Sequence, residues 1–204
     1  MSRESALTVL TALWLTMLVW SGWQPFDRAT WLMKVAPVLI ALPVLWLTRN
    51  VFPLTPLALV LIGFHGFVLM LGGAYTYARV PVGFTVQDML DLARNPYDRF
   101  GHLMQGFVPA IVFRELLLRL SPLRPGWLLT VLLLACCLAV SATYELIEFG
   151  AAMALGQGAE EFLGTQGDVW DTQWDMLMCL IGAALALLLL SRWHDRQLAG
   201  ISRA

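Results

Sequence analysis

The chain has 204 residues, 59% of them hydrophobic and only 13% charged, with a mean hydropathy of +0.71, against roughly 45–50% and about 25% in soluble domains. That excludes an ordinary soluble domain and describes an all-α polytopic membrane protein, a single integral domain over 1–204 whose surroundings are the lipid bilayer. A formal net charge of −1 gives no electrostatic basis for binding nucleic acid.

Six apolar runs follow in chain order, predicting a bundle of six spans. The first, 6–23, comes after the polar start Ser2-Arg3-Glu4; with no small-x-small cleavage pattern behind it, it reads as a retained span anchored by Trp20 and Trp23. The second, 31–48, contains Pro37 and Pro43, which a spanning helix tolerates when neighbours satisfy the freed carbonyls. The third, 54–75, holds His65 near its middle. A neutral, hydrogen-bonded imidazole and a proton relay are both open to that residue. Gly63, Gly66, Gly72 and Gly73 predict close helix contact for this run. A polar segment, Thr76 to Arg94, then includes DMLDLA, a short amphipathic helix on the membrane surface.

Asn95-Pro96 is a helix-start signal, with the asparagine as N-cap and the proline at the first helical position. It opens the fourth span, 96–120, which places Asp98, His102, Gln105 and Pro109 in one narrow stripe. At its far end Arg114, Glu115 and Arg119 are expected to snorkel to the interface. The fifth, 127–149, is apolar until Tyr144, Glu145 and Glu148, which share a face with Ser141. Residues 150–167 contain Glu160-Glu161 and no basic residue, and read as a loop or a re-entrant segment. The sixth span, 174–193, is preceded by Asp168 and Asp171 and contains Asp175. Spacings of three and four put all three acids on one face of a helix beginning near Gly167. Trp170 and Trp174 beside them read as interface anchors, and the span ends in a basic tail with Arg192, Arg196 and Arg203.

An even number of spans puts both termini on one side. That side carries Arg3, Arg49, Arg119, Arg124, Arg192, Arg196 and Arg203, seven basic residues, against five (Arg28, Lys34, Arg79, Arg94 and Arg99) on the other. By the positive-inside rule the termini are cytoplasmic. The starts of spans four and six and the end of span five then meet at the extracytoplasmic mouth.

That topology gathers Asp98, His102, Glu145, Glu148, Asp171 and Asp175 at similar depth. Carboxylates with one imidazole suit a divalent metal ion, and they also suit proton transfer or a polar headgroup. A third possibility is that Arg94 and Arg99 neutralise the acids, so that the cluster simply clamps helix ends. The corresponding functions are a cation or polar envelope-group site, a proton-coupled small-solute transporter with His65 as inner relay, and a non-catalytic envelope or partner-binding protein. No reaction is assigned: G-x-S-x-G, H-E-x-x-H and Walker patterns are missing, and Glu160-Glu161 lacks the arginine of a prenyl-protease motif. Cys136, Cys137 and Cys179 lie inside apolar runs without metal spacing and read as small buried hydrophobes.

NPYDRFGHLMQGF, YELIEF and GTQGDVWDTQWDM resemble signature blocks of the YjdF-type bacterial inner-membrane proteins, over nearly the whole chain. More distantly, D-R-x-x-H at Asp98 to His102, E-x-x-E at Glu145 to Glu148 and D-x3-C-x2-G at Asp175 to Gly182 are similar to the VanZ-like membrane proteins, which usually have Gln at the second acid and Asn in place of Cys179. The resemblance implies a small multi-pass inner-membrane protein with a cytoplasmic C-terminus, and it brings no reaction with it.

Overall fold

The computed structural model describes residues 3–155 and 165–201. Among them are seven helices and no strand: α1 (Arg3–Trp23), α2 (Arg28–Thr48), α3 (Pro56–Ala74), α4 (Pro81–Leu90), α5 (Tyr97–Leu120), α6 (Trp127–Leu155) and α7 (Asp171–Ile201). The helical bundle expected from composition is therefore present. Five helices, all but α4 and α5, are long and apolar enough to cross a membrane. Their outward faces carry side chains such as Val19, Leu47, Phe149 and Leu188, the surface a helix presents to lipid.

Several boundaries move from their expected places, each for a local reason. Helix α2 starts at Arg28 because the Asp27 carboxylate accepts the Thr30 amide at 2.7 Å, a side-chain N-cap. The surface helix lies earlier than DMLDLA: Pro81 fills its first turn, and Asp91 ends it in the left-handed region at φ 49°. In α5, Pro96 takes the cap position and Tyr97 begins the helix, while Asn95 Oδ1 still accepts the Tyr97 amide at 3.0 Å. Helix α6 continues past Phe149 to Leu155. Helix α7 begins at Asp171, so Asp168 is not on it; its carboxylate instead caps the preceding turn by accepting the Trp170 amide at 2.9 Å. Expectations for 156–164, including Glu160-Glu161, lie outside the described residues.

Helix α5 is the least apolar of the long helices and the most enclosed, with Asp98, His102, Arg114 and Glu115 all buried. It packs directly on α7 through paired glycines. A Cβ at Gly106 would stand 1.8 Å from the Cys179 carbonyl oxygen, and one at Gly182 would stand 1.9 Å from that of Leu103. Only hydrogen at both positions lets the backbones touch, which is how helices gain van der Waals contact where lipid removes the hydrophobic drive. Trp14 ties α1 to α3, its indole N–H donating to the Gly63 carbonyl at 3.0 Å. The cysteines are all free; Cys137 and Cys179 are buried and Cys136 is partly so, as expected of small apolar residues.

The far end of α5 differs from the snorkelling arrangement expected there. Glu115 is fully buried: it accepts the Thr55 amide (2.9 Å) and hydroxyl (2.7 Å), an Arg119 N–H (2.7 Å) and His194 Nε2 (3.1 Å). Arg114 donates to His194 Nδ1 at 3.0 Å and to Asp195 at 2.6 Å. Arginine has no acceptor, so His194 takes the Nε2–H tautomer and bridges the two helices as a neutral ring. This network holds α7 in register through His194 and Asp195, beyond the expected end at Trp193. About 20 Å of α5 separates it from His102 at 1.5 Å per residue.

Candidate functional site

At the other end of α5 six carboxylates face three basic side chains. Glu148 on α6 is ion-paired with Lys34 of α2, both buried. The Lys34 ammonium lies 4.8 Å from the Tyr77 ring centroid and 5.3 Å from that of Tyr144, a desolvated cation–π arrangement. Tyr77 reaches this position from a left-handed backbone (φ 58°). Its ring fills the space that Gly72 and Gly101 leave, where Cβ atoms would come within 2.3 and 2.6 Å. Burial pushes the Tyr77 phenol well above its ordinary range, so it stays protonated beside Lys34.

Asp171 is ion-paired with Arg94, and Asp168 with Arg99 at 2.6 Å. Arg94 also stands 3.6 Å from Asp168 and 3.8 Å from Asp98. It donates to the Thr165 carbonyl at 3.1 Å, while Gln166 and Asn95 exchange two hydrogen bonds through the Asn95 backbone, 3.0 and 3.1 Å long. Residues 165–171 are thereby strapped across the start of α5. The Arg99 guanidinium lies 5.2 Å from the Trp174 ring, so Trp174 carries a cation on its face besides standing at the rim. The clamp expected of Arg94 and Arg99 is real for Asp168 and Asp171.

It reaches the centre only at Asp98, through the 3.8 Å contact from Arg94. Asp98, Glu145 and Asp175 surround His102, whose Nε2 lies 3.8 Å from one oxygen of each. Relative exposures are 1% for Asp98, 9% for Glu145, 3% for Asp175 and 5% for His102. Ligating atoms of Asp98, His102 and Asp175 all fall within 4.8 Å of one another. Both Asp98 oxygens, Glu145 Oε1 and Asp175 Oδ1 are buried without a hydrogen-bond partner. Two ionised carboxylates as close as Asp98 and Asp175, within 4.8 Å, repel by about 3.5 kcal/mol at an effective dielectric of 20. Lys34 and Arg99 are bound to other acids and only Arg94 reaches in, to Asp98 at 3.8 Å, so three ionised carboxylates here require further positive charge, as a metal ion or as protons.

The predicted residues thus divide. Asp98, His102, Glu145 and Asp175 converge, whereas Glu148 and Asp171 form the surrounding ion pairs. His65 lies on α3, one turn from Val68, whose carbonyl receives the Tyr97 hydroxyl at 3.1 Å; its Nε2 is buried without a hydrogen-bond partner. Lys34 was counted only as a topological charge, although a lone lysine inside an apolar run is itself a signal of an intramembrane partner.

Residues 6–196 match the model of a family described as "Predicted membrane protein (DUF2238)". The chain belongs to this family. The chain is also similar to the "Inner membrane protein YjdF" of Escherichia coli (strain K12), 52% identical over 189 residues, which cover 92% of this chain and 90% of that protein. No solved structure matches. The sequence resemblance to YjdF-type proteins is therefore confirmed, and the DUF2238 protein described here is a multi-pass helical membrane protein with a buried carboxylate–histidine cluster.

Proposed function

We propose that this DUF2238 protein holds a divalent cation within the bacterial inner membrane, at the mouth where α5, α6 and α7 meet. The observation that carries this reading is the set of three buried carboxylates equidistant from one imidazole nitrogen, of which only Asp98 has a cation within reach, Arg94 at 3.8 Å. The motif blocks that are similar to VanZ-like proteins supply all four residues. In this reading six helices cross the bilayer, α5 packed against α3, α6 and α7, with both termini cytoplasmic and the site opening on the extracytoplasmic side.

The test is thermal unfolding of chelator-treated protein in detergent, with and without divalent ions. An ion present at a hundred times its dissociation constant adds about 2.7 kcal/mol, a rise of roughly 5–10 °C for a chain of this size. Asp175→Asn combined with His102→Ala should remove that rise. If no divalent ion shifts the wild-type midpoint, the cluster serves a polar headgroup or a protein partner instead.

A second reading, proton-coupled transport, draws on His65, a part-buried imidazole whose Nε2 is enclosed without a hydrogen-bond partner. Reconstituted vesicles should then show proton movement that His65→Ala abolishes; vesicles with no flux would remove it.

A further inference from the structure

His102 does more than add a fourth donor. Its Nδ1 is 2.8 Å from Gln105 Oε1, three residues along the same helix. An amide oxygen only accepts, so Nδ1 carries the proton, and in the neutral ring Nε2 then presents its lone pair. That lone pair is not directed at any one carboxylate, because all three nearest oxygens lie at 3.8 Å, beyond hydrogen-bond reach. One oxygen of each is open to it at that common distance. A ring whose outer nitrogen is hydrogen-bonded while its inner nitrogen faces open carboxylates is the arrangement of a metal-ligating histidine with its supporting partner.

The separations alone do not choose the ion. Adjacent ligands stand about 3.4 Å apart around calcium or tetrahedral zinc and about 3.0 Å apart around an octahedral manganese, so any of them could be enclosed by a small closure of the side chains. The donor type does choose. Magnesium and calcium favour all-oxygen shells, while imidazole favours transition ions. Resting on the cation reading above, we infer that the ion is a first-row transition-metal dication, manganese, iron or zinc, held by His102 Nε2 with Asp98, Glu145 and Asp175. Gln105 is the positioning residue that fixes the tautomer able to bind it. The second observation behind the site is Asp98, almost wholly buried, with neither oxygen hydrogen-bonded and Oδ1 on the imidazole side, 3.8 Å from Nε2.

The experiment uses the full chain in detergent, stripped with chelator and titrated separately with Mn2+, Zn2+, Mg2+ and Ca2+, reading bound ion per chain and the unfolding midpoint. Mn2+ and Zn2+ should bind one per chain and raise the midpoint at concentrations where Mg2+ and Ca2+ do not. Electron spin-echo modulation of bound Mn2+ should show a directly ligated histidine nitrogen, which changes on 15N-histidine labelling. Gln105→Leu should weaken Mn2+ binding by about 10- to 100-fold, and Gln105→Glu, which also accepts the Nδ1 proton, should restore it. Because the Glu variant rescues the interaction, a fold defect in the Leu variant does not decide the matter. Binding of Mg2+ or Ca2+ as tight as that of Mn2+, or bound Mn2+ with no histidine coupling, overturns this inference and leaves the cation reading intact. Absence of binding by all four ions overturns both.

Discussion

Lys34 fixes which acids at the mouth remain open. By pairing with Glu148 it takes one carboxylate out of the cluster, leaving Asp98, Glu145 and Asp175 to face His102. Lys34→Met would strand a buried glutamate, at a cost of about 3–5 kcal/mol. Adding Glu148→Gln should recover most of that loss, and the unfolding midpoints of the single and double variants in detergent test the pairing directly. The Lys34 ammonium and the Glu148 carboxylate are 114 positions apart in the chain, so no local spacing could connect them; both acids of E-x-x-E were legible, but not the difference in their roles. Asp27 gives a pH prediction at the same scale. Its hydrogen bonds from Thr30 hold the carboxyl below its ordinary value, so the charged form is favoured by the fold. Its contribution is present above about pH 4, the ordinary carboxylate range, and is lost as pH falls through the lowered folded value. Asp27→Ala should cost about 1 kcal/mol at neutral pH, and the gap between wild type and variant should narrow at pH 3.

Between elements, the contact that positions the site is α5 against α7. His102 and Asp175 meet only because Gly106 and Gly182, one to two turns deeper, let the two backbones approach. Gly106→Ala would drive a methyl into the Cys179 carbonyl, separating the helices and opening the cluster. The expected outcome is a sharp loss of thermal stability together with loss of ion-dependent stabilisation, while Gly150→Ala, with nothing within 4 Å of the added carbon, should leave both unchanged. The apolar runs made every long helix legible, because length and hydropathy are local properties. The ends were less so. Helix α7 continues beyond Trp193 because Arg114 of α5 bonds His194 and Asp195, a tertiary cause that hydropathy cannot report. The charges on α5 read as interface residues for the same reason: Arg114 and Glu115 are as polar as any surface pair, and only their partners on α3 and α7 make them interior.

For the molecule as a whole, the open step is whether α5 crosses the bilayer. Its composition is not that of a lipid-facing span, and α7, α6 and α3 pack against it. Yet its two polar ends are about 20 Å apart along the axis, and between them lies a buried apolar stretch through Met104, Val108 and Ile111 that suits the interior of a bilayer about 30 Å thick. Single cysteines at three exposed positions, in a background with Cys136→Ala, separate the alternatives. Met89 precedes α5, Gly126 follows it and Val169 precedes α7. With six crossings, an impermeant maleimide applied to intact cells after outer-membrane permeabilisation should label Met89→Cys and Val169→Cys, and should label Gly126→Cys only once the inner membrane is opened. Labelling of Met89→Cys and Gly126→Cys from the same side would mean that α5 returns to the face it left, putting the termini on opposite sides. Labelling of Gly126→Cys alone would invert the molecule and turn the cluster toward the cytoplasm. The seven-to-five distribution of basic residues favours the first outcome only modestly. The burial of Lys34 sharpens it, since a lysine paired inside the bundle no longer counts among the charges that flank the membrane on the side opposite the termini.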